Sequence, residues 1–253
     1  MDIVIIGSGN VAAVLGRKFT AAGHKIVQII SRNASAASEL AYEWDTESAN
    51  YMSLINKNAD VYIIAVSDNA LEELLSNLKL PGKVVAHTAG SVSKEILQNV
   101  TSHYGVIYPL QSLRKEIINL PDIPIFFEGS DKLATNTLQK LAQSISFEQA
   151  TPAGSEDRLK LHVAAVIVNN FTNHLYVLAE KYCQIEGINF HQLLPLIEET
   201  VQRLKTTSPA DTMTGPAIRN DKETIQKHIE LLKDHPQLQK IYQVFTESIL
   251  QMK

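Results

Sequence analysis

The sequence has little of several features that mark common classes of protein. A single cysteine, Cys183, stands among 253 residues, which excludes an internal disulfide and a cysteine-rich metal site. No apolar run reaches the ~18–20 residues that a membrane span needs. The net charge of −4 lacks the basic excess of proteins that bind nucleic acid or anionic membranes. No leader-like segment precedes the first apolar run, so we expect a cytoplasmic protein with neither nucleic-acid nor membrane partners.

Apolar segments of two kinds alternate along the first 150 residues. Runs of strand length are separated by segments with helical spacing, which predicts a doubly wound, mostly parallel α/β sheet. Strand patterns end near residue 151, and helical patterns continue. We therefore predict two domains, residues 1–150 with the sheet and residues 151–253 all-helical. The predicted strands lie at residues 3–6, 26–30, 61–66, 83–86, 105–108 and 123–127.

The first strand runs directly into the sequence Gly7-Ser-Gly-Asn-Val-Ala12, and a helix follows. The G-x-G-x-x-A spacing between a strand and a helix is typical of the Rossmann dinucleotide-binding loop. Its glycines allow a tight turn and close approach to a pyrophosphate, which the helix N-terminus attracts. The alternative is a glycine-rich turn in a fold that has lost its nucleotide. The loop residues predicted to bind the cofactor are Gly7, Ser8, Gly9, Asn10 and Val11.

The end of the second strand predicts which dinucleotide is bound. NAD sites usually place Asp or Glu about 20 residues after the glycine loop, where it accepts from the ribose 2′-hydroxyl. This chain has Ser31-Arg-Asn33 there, with no carboxylate. Arg32 could pair with the 2′-phosphate of NADP, while Ser31 and Asn33 donate to it. We therefore predict NADP, and the alternative for Arg32 is a solvated loop cation.

Small and polar residues also follow the next two predicted strands. Ligands of doubly wound sheets lie outside the carboxyl ends of the strands, so these residues should share the cofactor site. The histidine among them is in addition an acid/base candidate. The predicted contacts are Ala65, Val66, Ser67 and His87.

A long helix predicted over residues 156–185 carries the candidate catalytic residues. His162 and Asn169 are seven residues apart, which places them on one face of a regular helix. His162 could act as a general acid near neutral pH, and Asn169 could hold a substrate carbonyl. The alternative for each is a structural polar residue with its hydrogen bonds met. No group of residues has metal-ligand spacing, so we expect no metal. Further candidates are His174 and, for a substrate carboxylate, Arg219 and His228.

Several motifs together resemble one bacterial family, the DUF2520-type oxidoreductases with a Rossmann-like first domain. Beside the glycine loop they are Ala65-Val-Ser-Asp68, Tyr108-Pro-Leu-Gln111, His162-Val-Ala-Ala165 and Thr214-Gly-Pro-Ala-Ile-Arg-Asn-Asp221. That family is similar in plan to pyrroline-5-carboxylate reductase, β-hydroxyacid dehydrogenases and F420-dependent NADP reductases. The resemblance implies NADP binding, a helical second domain and a dimer. It implies no particular substrate.

One departure limits what the resemblance can supply. β-Hydroxyacid dehydrogenases carry a catalytic lysine four residues before an asparagine of their long helix. Ala165 and Val166 stand four residues before Asn169 and Asn170 in this chain, so that mechanism is not carried over.

These observations favour an NADP-dependent oxidoreductase. We expect hydride transfer to or from a small, carboxylate-bearing substrate between the domains. The apolar segment 164–168 of the long helix is typical of a helix buried in a domain core or a dimer interface, and we expect a homodimer through the helical domain. Two alternatives stay open, a non-catalytic NADP-binding sensor and an enzyme that uses another adenine nucleotide.

Overall fold

The computed structural model describes residues 1–117 and 122–252. The chain divides into two compact units, Met1–Asn169 and Asn170–Lys253. The domain boundary expected after residue 150 stays a prediction. The first unit contains an eight-stranded sheet. Its strands are β1 (Asp2–Ile6), β2 (Lys25–Ile30), β3 (Glu47–Ala49), β4 (Val61–Ile64), β5 (Val84–His87), β6 (His103–Pro109), β7 (Ile125–Gly129) and β8 (Ala150–Pro152).

Five α-helices of the first unit accompany this sheet. Short 3₁₀ turns lie at Met52–Leu54 and Lys94–Leu97. A helix that begins on the α pattern at Ser155 becomes π-helical over Val166–Phe171. The α-helices are α1 (Asn10–Ala21), α2 (Ala34–Glu43), α3 (Asp68–Leu75), α4 (Lys132–Ile145) and α5 (Ser155–Ala165).

The strand order is β3-β2-β1-β4-β5-β6-β7-β8. All neighbouring pairs are parallel except β6 and β7, which are antiparallel; β7 and β8 are parallel to each other. The predicted doubly wound, mostly parallel α/β class is therefore confirmed. The carboxyl ends of β1, β2, β4, β5 and β6 lie along one edge of the sheet, where ligands of such folds bind.

The core forms on both faces of the sheet because β1 is buried on both sides. Ile3 and Ile5 belong to a cluster that includes residues of α1 and α4, and Val4 and Ile6 belong to another that includes residues of α3. This division follows from the two-residue period of a strand. All four side chains are at most 1% exposed. A strand buried in this way holds the loop that follows it in a fixed position.

The structure corrects three of the predicted elements. The helix expected from residue 34 to 49 ends at Glu43, because Asp45 takes a left-handed conformation (φ 47°) before β3. Strand β8 was not expected; it is three residues long and ends in Pro152, so it carries no apolar run. The helix predicted as continuous over 156–185 is interrupted by the π-helical segment. Val168 of the apolar segment 164–168 is 71% exposed in the single chain, so it does not lie in a domain core, and the alternative of burial in a dimer interface stays a prediction.

The second unit, as far as residue 252, consists of helices and turns without a strand. The side chain of Asp221 caps the helix Lys222–Leu231 by accepting from Thr224 N–H (3.1 Å), and Pro236 stands in the first turn of the helix Pro236–Leu250, both as predicted. None of the helices within residues 1–117 and 122–252 is long and apolar enough to cross a bilayer. The helices of this unit are α6 (Thr172–Ile185), a 3₁₀ turn (Phe190–Leu193), α7 (Leu194–Arg203), α8 (Pro216–Arg219), α9 (Lys222–Leu231) and α10 (Pro236–Leu250).

Candidate functional site

The loop between β1 and α1 is held by its first glycine. Gly7 has φ +123°, a conformation that side chains with a Cβ avoid. A Cβ at this position would also lie 2.1 Å from the carbonyl oxygen of Ala65. The Gly7 N–H donates to the carbonyl of Ile30 at 2.7 Å. Gly7 is therefore required by the fold itself, since β2 and the end of β4 enclose it.

Gly9 has a different environment. It precedes α1 with φ −82°, which any residue can adopt, and a Cβ built on it meets no atom of the described part of the chain within 4 Å. Gly9 offers no side chain to cap α1, so the N–H groups of the first turn face open space. That space at the positive end of a 12-residue helix suits a phosphate group. The glycine loop therefore fits the pyrophosphate of a dinucleotide.

A cavity of about 490 Å³ opens from this loop along the ends of β1, β2 and β4. It has the size and place of a small-molecule site in a doubly wound sheet. Most of the predicted cofactor residues line it. They are Gly7, Ser8, Gly9, Ser31, Arg32, Ala65, Val66 and Ser67.

Several polar side chains that line the cavity form hydrogen bonds or ion pairs with residues of neighbouring segments. The hydroxyl groups of Ser8 and Ser31 lie 2.8 Å apart, which links the glycine loop to the end of β2. The Arg32 guanidinium donates to the Glu73 carboxylate at 3.2 Å, and both side chains are more than three-quarters exposed. Asn33 lines the cavity, while its side chain caps α2 by accepting from Ala36 N–H at 3.1 Å.

Asn10 and Val11 do not line the cavity. The Asn10 side-chain oxygen accepts from the backbone N–H of Lys115 at 3.2 Å. The Arg17 guanidinium donates to the carbonyl of the same residue, so the loop after β6 is tied to α1 at two points. Val11 packs against the core. Their predicted roles as cofactor contacts stay predictions.

His87 lies beneath the site and does not line the cavity. Its side chain is fully buried, its Nδ1 accepts from Ala89 N–H (3.2 Å), and its Nε2 faces the carbonyl of Ser93 (3.3 Å). Burial lowers the pKa of His87 to about 4. The imidazole is therefore neutral at physiological pH and has both nitrogens occupied by backbone groups.

His162 and Asn169 have different surroundings. The Nδ1 atom of His162 lies 3.1 Å from the Tyr108 hydroxyl, at the carboxyl end of β6. Asn169 is exposed and belongs to the π-helical segment. Because π-helical bonding runs from i to i+5, the seven residues between them do not make two regular turns. The spacing that predicted a shared face does not hold here.

A buried ion cluster anchors the helix that carries His162. Arg158, one turn earlier on α5, is fully buried and binds the carboxylate of Glu128 on β7. Its Nη2 also donates to the carbonyl of Val92 at 3.1 Å. Burial opposes the charge of Glu128, but the cations Arg158 and Lys94 bound to it lower its pKa. The cluster therefore fixes the position of α5 along the surface of the sheet.

The sequence did not predict Glu73 or Tyr108 as site residues. Glu73 stands on α3 and is 41 residues from Arg32, and Tyr108 is 54 residues from His162. Neither pair has a local spacing that could have revealed it, although the Tyr108 motif was noted. Among the residues that the structure describes, no cluster of histidine, cysteine or carboxylate side chains could hold a metal ion.

Two family models match parts of the chain. One, described as "Domain of unknown function (DUF2520)", matches residues 123–249. The other, described as "NADP oxidoreductase coenzyme F420-dependent", matches residues 2–90, which contain the glycine loop and the cavity residues. No curated protein matches the chain.

Three solved structures share the architecture of the chain. The "putative NADP oxidoreductase" of Bacteroides fragilis is 34% identical, with a TM-score of 0.88 over 99% of this chain and 98% of that one. An imine reductase from Myxococcus stipitatus in complex with NADP⁺ is 14% identical, with a TM-score of 0.66 over 99% and 92%. The 1-pyrroline-5-carboxylate reductase of Streptococcus pyogenes is 17% identical, with a TM-score of 0.63 over 99% and 98%. The last two likenesses show the fold alone.

Proposed function

The chain belongs to the DUF2520 family, and we propose that it is an NADP-dependent oxidoreductase acting on a small C=O or C=N compound or its reduced form. This membership confirms the resemblance that the sequence motifs predicted. The match of residues 2–90 to an NADP oxidoreductase family and the 34% identity to the Bacteroides fragilis protein support the cofactor. The likeness in fold to imine and pyrroline-5-carboxylate reductases supports the substrate class.

The observation that carries the proposal is the open space at Gly9. Its backbone conformation does not require glycine, and no atom of residues 1–117 and 122–252 would meet a Cβ there. The absence of a side chain therefore serves a ligand rather than the fold. Since the space faces the N-terminus of α1, the ligand group that fits it is an anion.

Different residues of the cavity would bind different parts of the dinucleotide. The backbone from Gly7 to Gly9 would hold the pyrophosphate, and Arg32 the 2′-phosphate. Ser31 would donate to the same phosphate from the end of β2. When bound, the cofactor supplies or accepts a hydride at its nicotinamide ring. His162 would serve as the acid/base group and Asn169 as a contact to the substrate.

The substrate is proposed to be small and to carry a carboxylate. Arg219 stands at the end of α8 and could pair with such a group. His228 has its Nδ1 2.8 Å from the Tyr242 hydroxyl, and its Nε2 could donate. Both assignments come from the sequence pattern and stay predictions.

A homodimer is part of the proposal. Leu159, Val163 and Val168 follow one another along the helix that starts at Ser155 and are 48%, 53% and 71% exposed. Exposed apolar side chains grouped in this way mark surfaces that another protein covers. A second copy of the chain is the partner that a symmetric dimer requires.

Two measurements test the proposed function. Fluorescence titration with NADPH, NADH and ATP ranks the cofactors, and NADPH should bind most tightly. NADPH oxidation is then followed with a panel of 2-oxo acids and cyclic imines, of which at least one should be reduced. Tight NADPH binding with no turnover would favour a sensor, and stronger binding of ATP would overturn the cofactor assignment.

A further inference from the structure

A tyrosine–histidine pair, Tyr108 and His162, lies at the same edge of the sheet as the cavity, and no local spacing connects its members, which are 54 residues apart. We propose that the Tyr108 hydroxyl exchanges the proton with the substrate and that His162 acts through it as a proton relay. This inference rests on the proposed oxidoreductase function and refines the role of His162, which becomes a positioning and relay residue.

A chain of contacts leads from the cavity to this pair. Ser67 lines the cavity, and the next residue, Asp68, accepts from the Ser91 hydroxyl at 2.6 Å. Gly90 precedes Ser91 and lies against the Tyr108 ring, since a Cβ on it would be 2.7 Å from the ring carbon Cζ. Because β1, β4, β5 and β6 are neighbours, the pair lies three strand spacings from the glycine loop, about 14 Å. A dinucleotide bound at the loop could extend in this direction.

The surroundings of Tyr108 make its hydroxyl a proton donor. The side chain is 9% exposed, and Gly90 gives its ring the space it occupies. Burial, together with the charge of Asp68, raises the pKa of the phenol. The hydroxyl therefore keeps its proton at neutral pH, and a donor fixed in this way needs no rearrangement before the reaction.

His162 is placed to replace that proton. Its Nδ1 is 3.1 Å from the phenol oxygen, and the two rings meet edge to face with centroids 6.3 Å apart. Among residues 1–117 and 122–252, no hydrogen-bond partner occupies its Nε2, and the side chain is half-buried. One ring nitrogen thus faces the phenol, and the other can exchange protons with water.

The proton and electron balance of the reduction is complete with these groups. The hydride for the carbon would come from the bound reduced dinucleotide, and the electron pair of the C=O or C=N bond would move to its heteroatom. The heteroatom takes the proton of Tyr108, whose O–H bond breaks. The phenolate then takes the Nδ1 proton of His162 while Nε2 of the same ring takes a proton from water, so the imidazole stays neutral through the transfer.

Three variants of the full chain test this role. Tyr108→Phe removes the hydroxyl alone, and His162→Gln removes the imidazole that contacts it. Tyr104→Phe is the matched control, because Tyr104 lies on the same strand and packs in the core. The readouts are NADPH affinity by fluorescence, kcat and KM with a 2-oxo acid or cyclic imine that the wild type reduces, and the ¹³Cζ NMR chemical shifts of the tyrosines in the ligand-free protein.

We expect Tyr108→Phe to lower kcat by about 100-fold or more while NADPH affinity stays within two-fold. His162→Gln should lower kcat by about 10-fold, and Tyr104→Phe should change neither value. In the ligand-free protein, the ¹³Cζ chemical shift of Tyr108 should differ between the wild type and His162→Gln, because the contact at 3.1 Å is lost, and should be unchanged in Tyr104→Phe.

Three results would overturn the inference. The first is a Tyr108→Phe variant with more than half of the wild-type kcat. The second is an equal loss of kcat and NADPH affinity in that variant, which indicates a structural role. The third is a Tyr108 signal unaffected by His162, and this result is independent of turnover. A wild-type protein that binds NADPH but reduces none of the panel would instead remove the proposed function, and the inference with it.

Discussion

At the scale of single residues, Arg32 carries the choice between NADP and NAD. Its ion pair with Glu73 is exposed on both sides and therefore weak, so a phosphate can compete for the guanidinium. Replacement of Arg32 by Ala should weaken NADPH binding by ~1–3 kcal/mol and leave NADH nearly unchanged. Isothermal titration with the two dinucleotides measures both affinities.

Two further variants sharpen this test. Glu73→Gln removes the competing carboxylate and should tighten NADPH binding by up to about five-fold. Arg203→Ala removes an exposed arginine that pairs with Glu199 on α7, and it should change neither affinity. Equal losses for NADPH and NADH in Arg32→Ala would contradict the contact with the 2′-phosphate.

His87 makes stability depend on pH. Burial lowers its pKa from 6.5 to about 4. Between pH 4 and pH 6.5, the side chain is therefore protonated in the unfolded chain and neutral in the folded protein. The contribution of the neutral side chain is present above pH 6.5 and is lost as the pH falls towards 4, a change of up to about 3 kcal/mol. Urea unfolding at pH 7 and pH 4.5 measures it.

The control for this prediction is His87→Gln, which keeps a donor and an acceptor but does not titrate. Its free energy of unfolding should fall less than that of the wild type over the same pH interval. His191→Gln changes an exposed histidine and should behave as the wild type. An identical pH dependence for the wild type and His87→Gln would show that His87 is not the source.

Which site residues could be predicted depends on how near they are in sequence to a strand end. Ser31 and Arg32 directly follow β2, and Ser67 lies three residues after β4, so the strand pattern alone placed them at the cavity. Tyr108 was placed at a strand end, but its partner lies 54 residues further on. Such pairs are made by packing, which a single sequence does not encode in any local spacing.

At the scale of elements, the two glycines of the loop between β1 and α1 have different roles: Gly7 is needed for folding and Gly9 for binding. Gly7→Ala would force a Cβ to within 2.1 Å of the Ala65 carbonyl oxygen and should destabilise the protein by about 3 kcal/mol or more. Gly9→Ala should cost less than about 1 kcal/mol but weaken NADPH binding at least 10-fold. Urea unfolding and fluorescence titration measure the two effects.

Gly154 provides the matched control for Gly9. It also precedes a helix without a side-chain cap, has φ −69°, and would place a Cβ in open space, but it does not line the cavity. Gly154→Ala should therefore match Gly9→Ala in stability and the wild type in NADPH affinity. Unchanged NADPH binding in Gly9→Ala would remove the main support for the site.

Elements were predicted where their patterns are long and local. A continuous β-branched run revealed β1, and a run interrupted only by Gln28 revealed β2. Asp221 and Pro236 marked helix starts correctly. Strand β3 was missed because its sequence, Glu-Ser-Ala, has no apolar pattern, and β8 because it is short and ends in Pro152. The π-helical turn has no recognised sequence pattern, since its apolar residues also suit an α-helix.

At the scale of the whole molecule, the exposed apolar residues of the helix beginning at Ser155 lead to a prediction about assembly. Sedimentation velocity should show a species of twice the 28.0 kDa chain mass. Val163→Glu combined with Val168→Glu should convert it to a monomer, because two charges would be buried without partners.

Tyr42→Glu supplies the control, since Tyr42 on α2 is 93% exposed and lies outside this group. That variant should sediment as the wild type does. A wild-type monomer, or a dimer that survives both glutamates, would contradict the proposed interface.

The fold was easier to predict than the site, because the sheet follows from local patterns and the site depends on how strands and helices pack. The sheet of the first unit follows from apolar runs, and its mostly parallel order follows from the helices between them. The reversal at β7 was not predicted, yet it matters for the site. Because β7 runs opposite to β6, Arg158 can bind Glu128 on β7 while His162, one turn further along α5, meets Tyr108 on β6.

The π-helical turn at Val166–Phe171 holds one residue more than an α-helix of the same rise would contain. A helix with this extra residue can lose one amino acid and form regular α-helical hydrogen bonds between residues i and i+4. A deletion in α1 or α4 would instead rotate every following side chain by about 100°, away from the apolar face of that helix. Within this helix, single-codon deletions should therefore be tolerated between 166 and 171 and be damaging before residue 165. A deletion scan read out by soluble expression would reveal that difference.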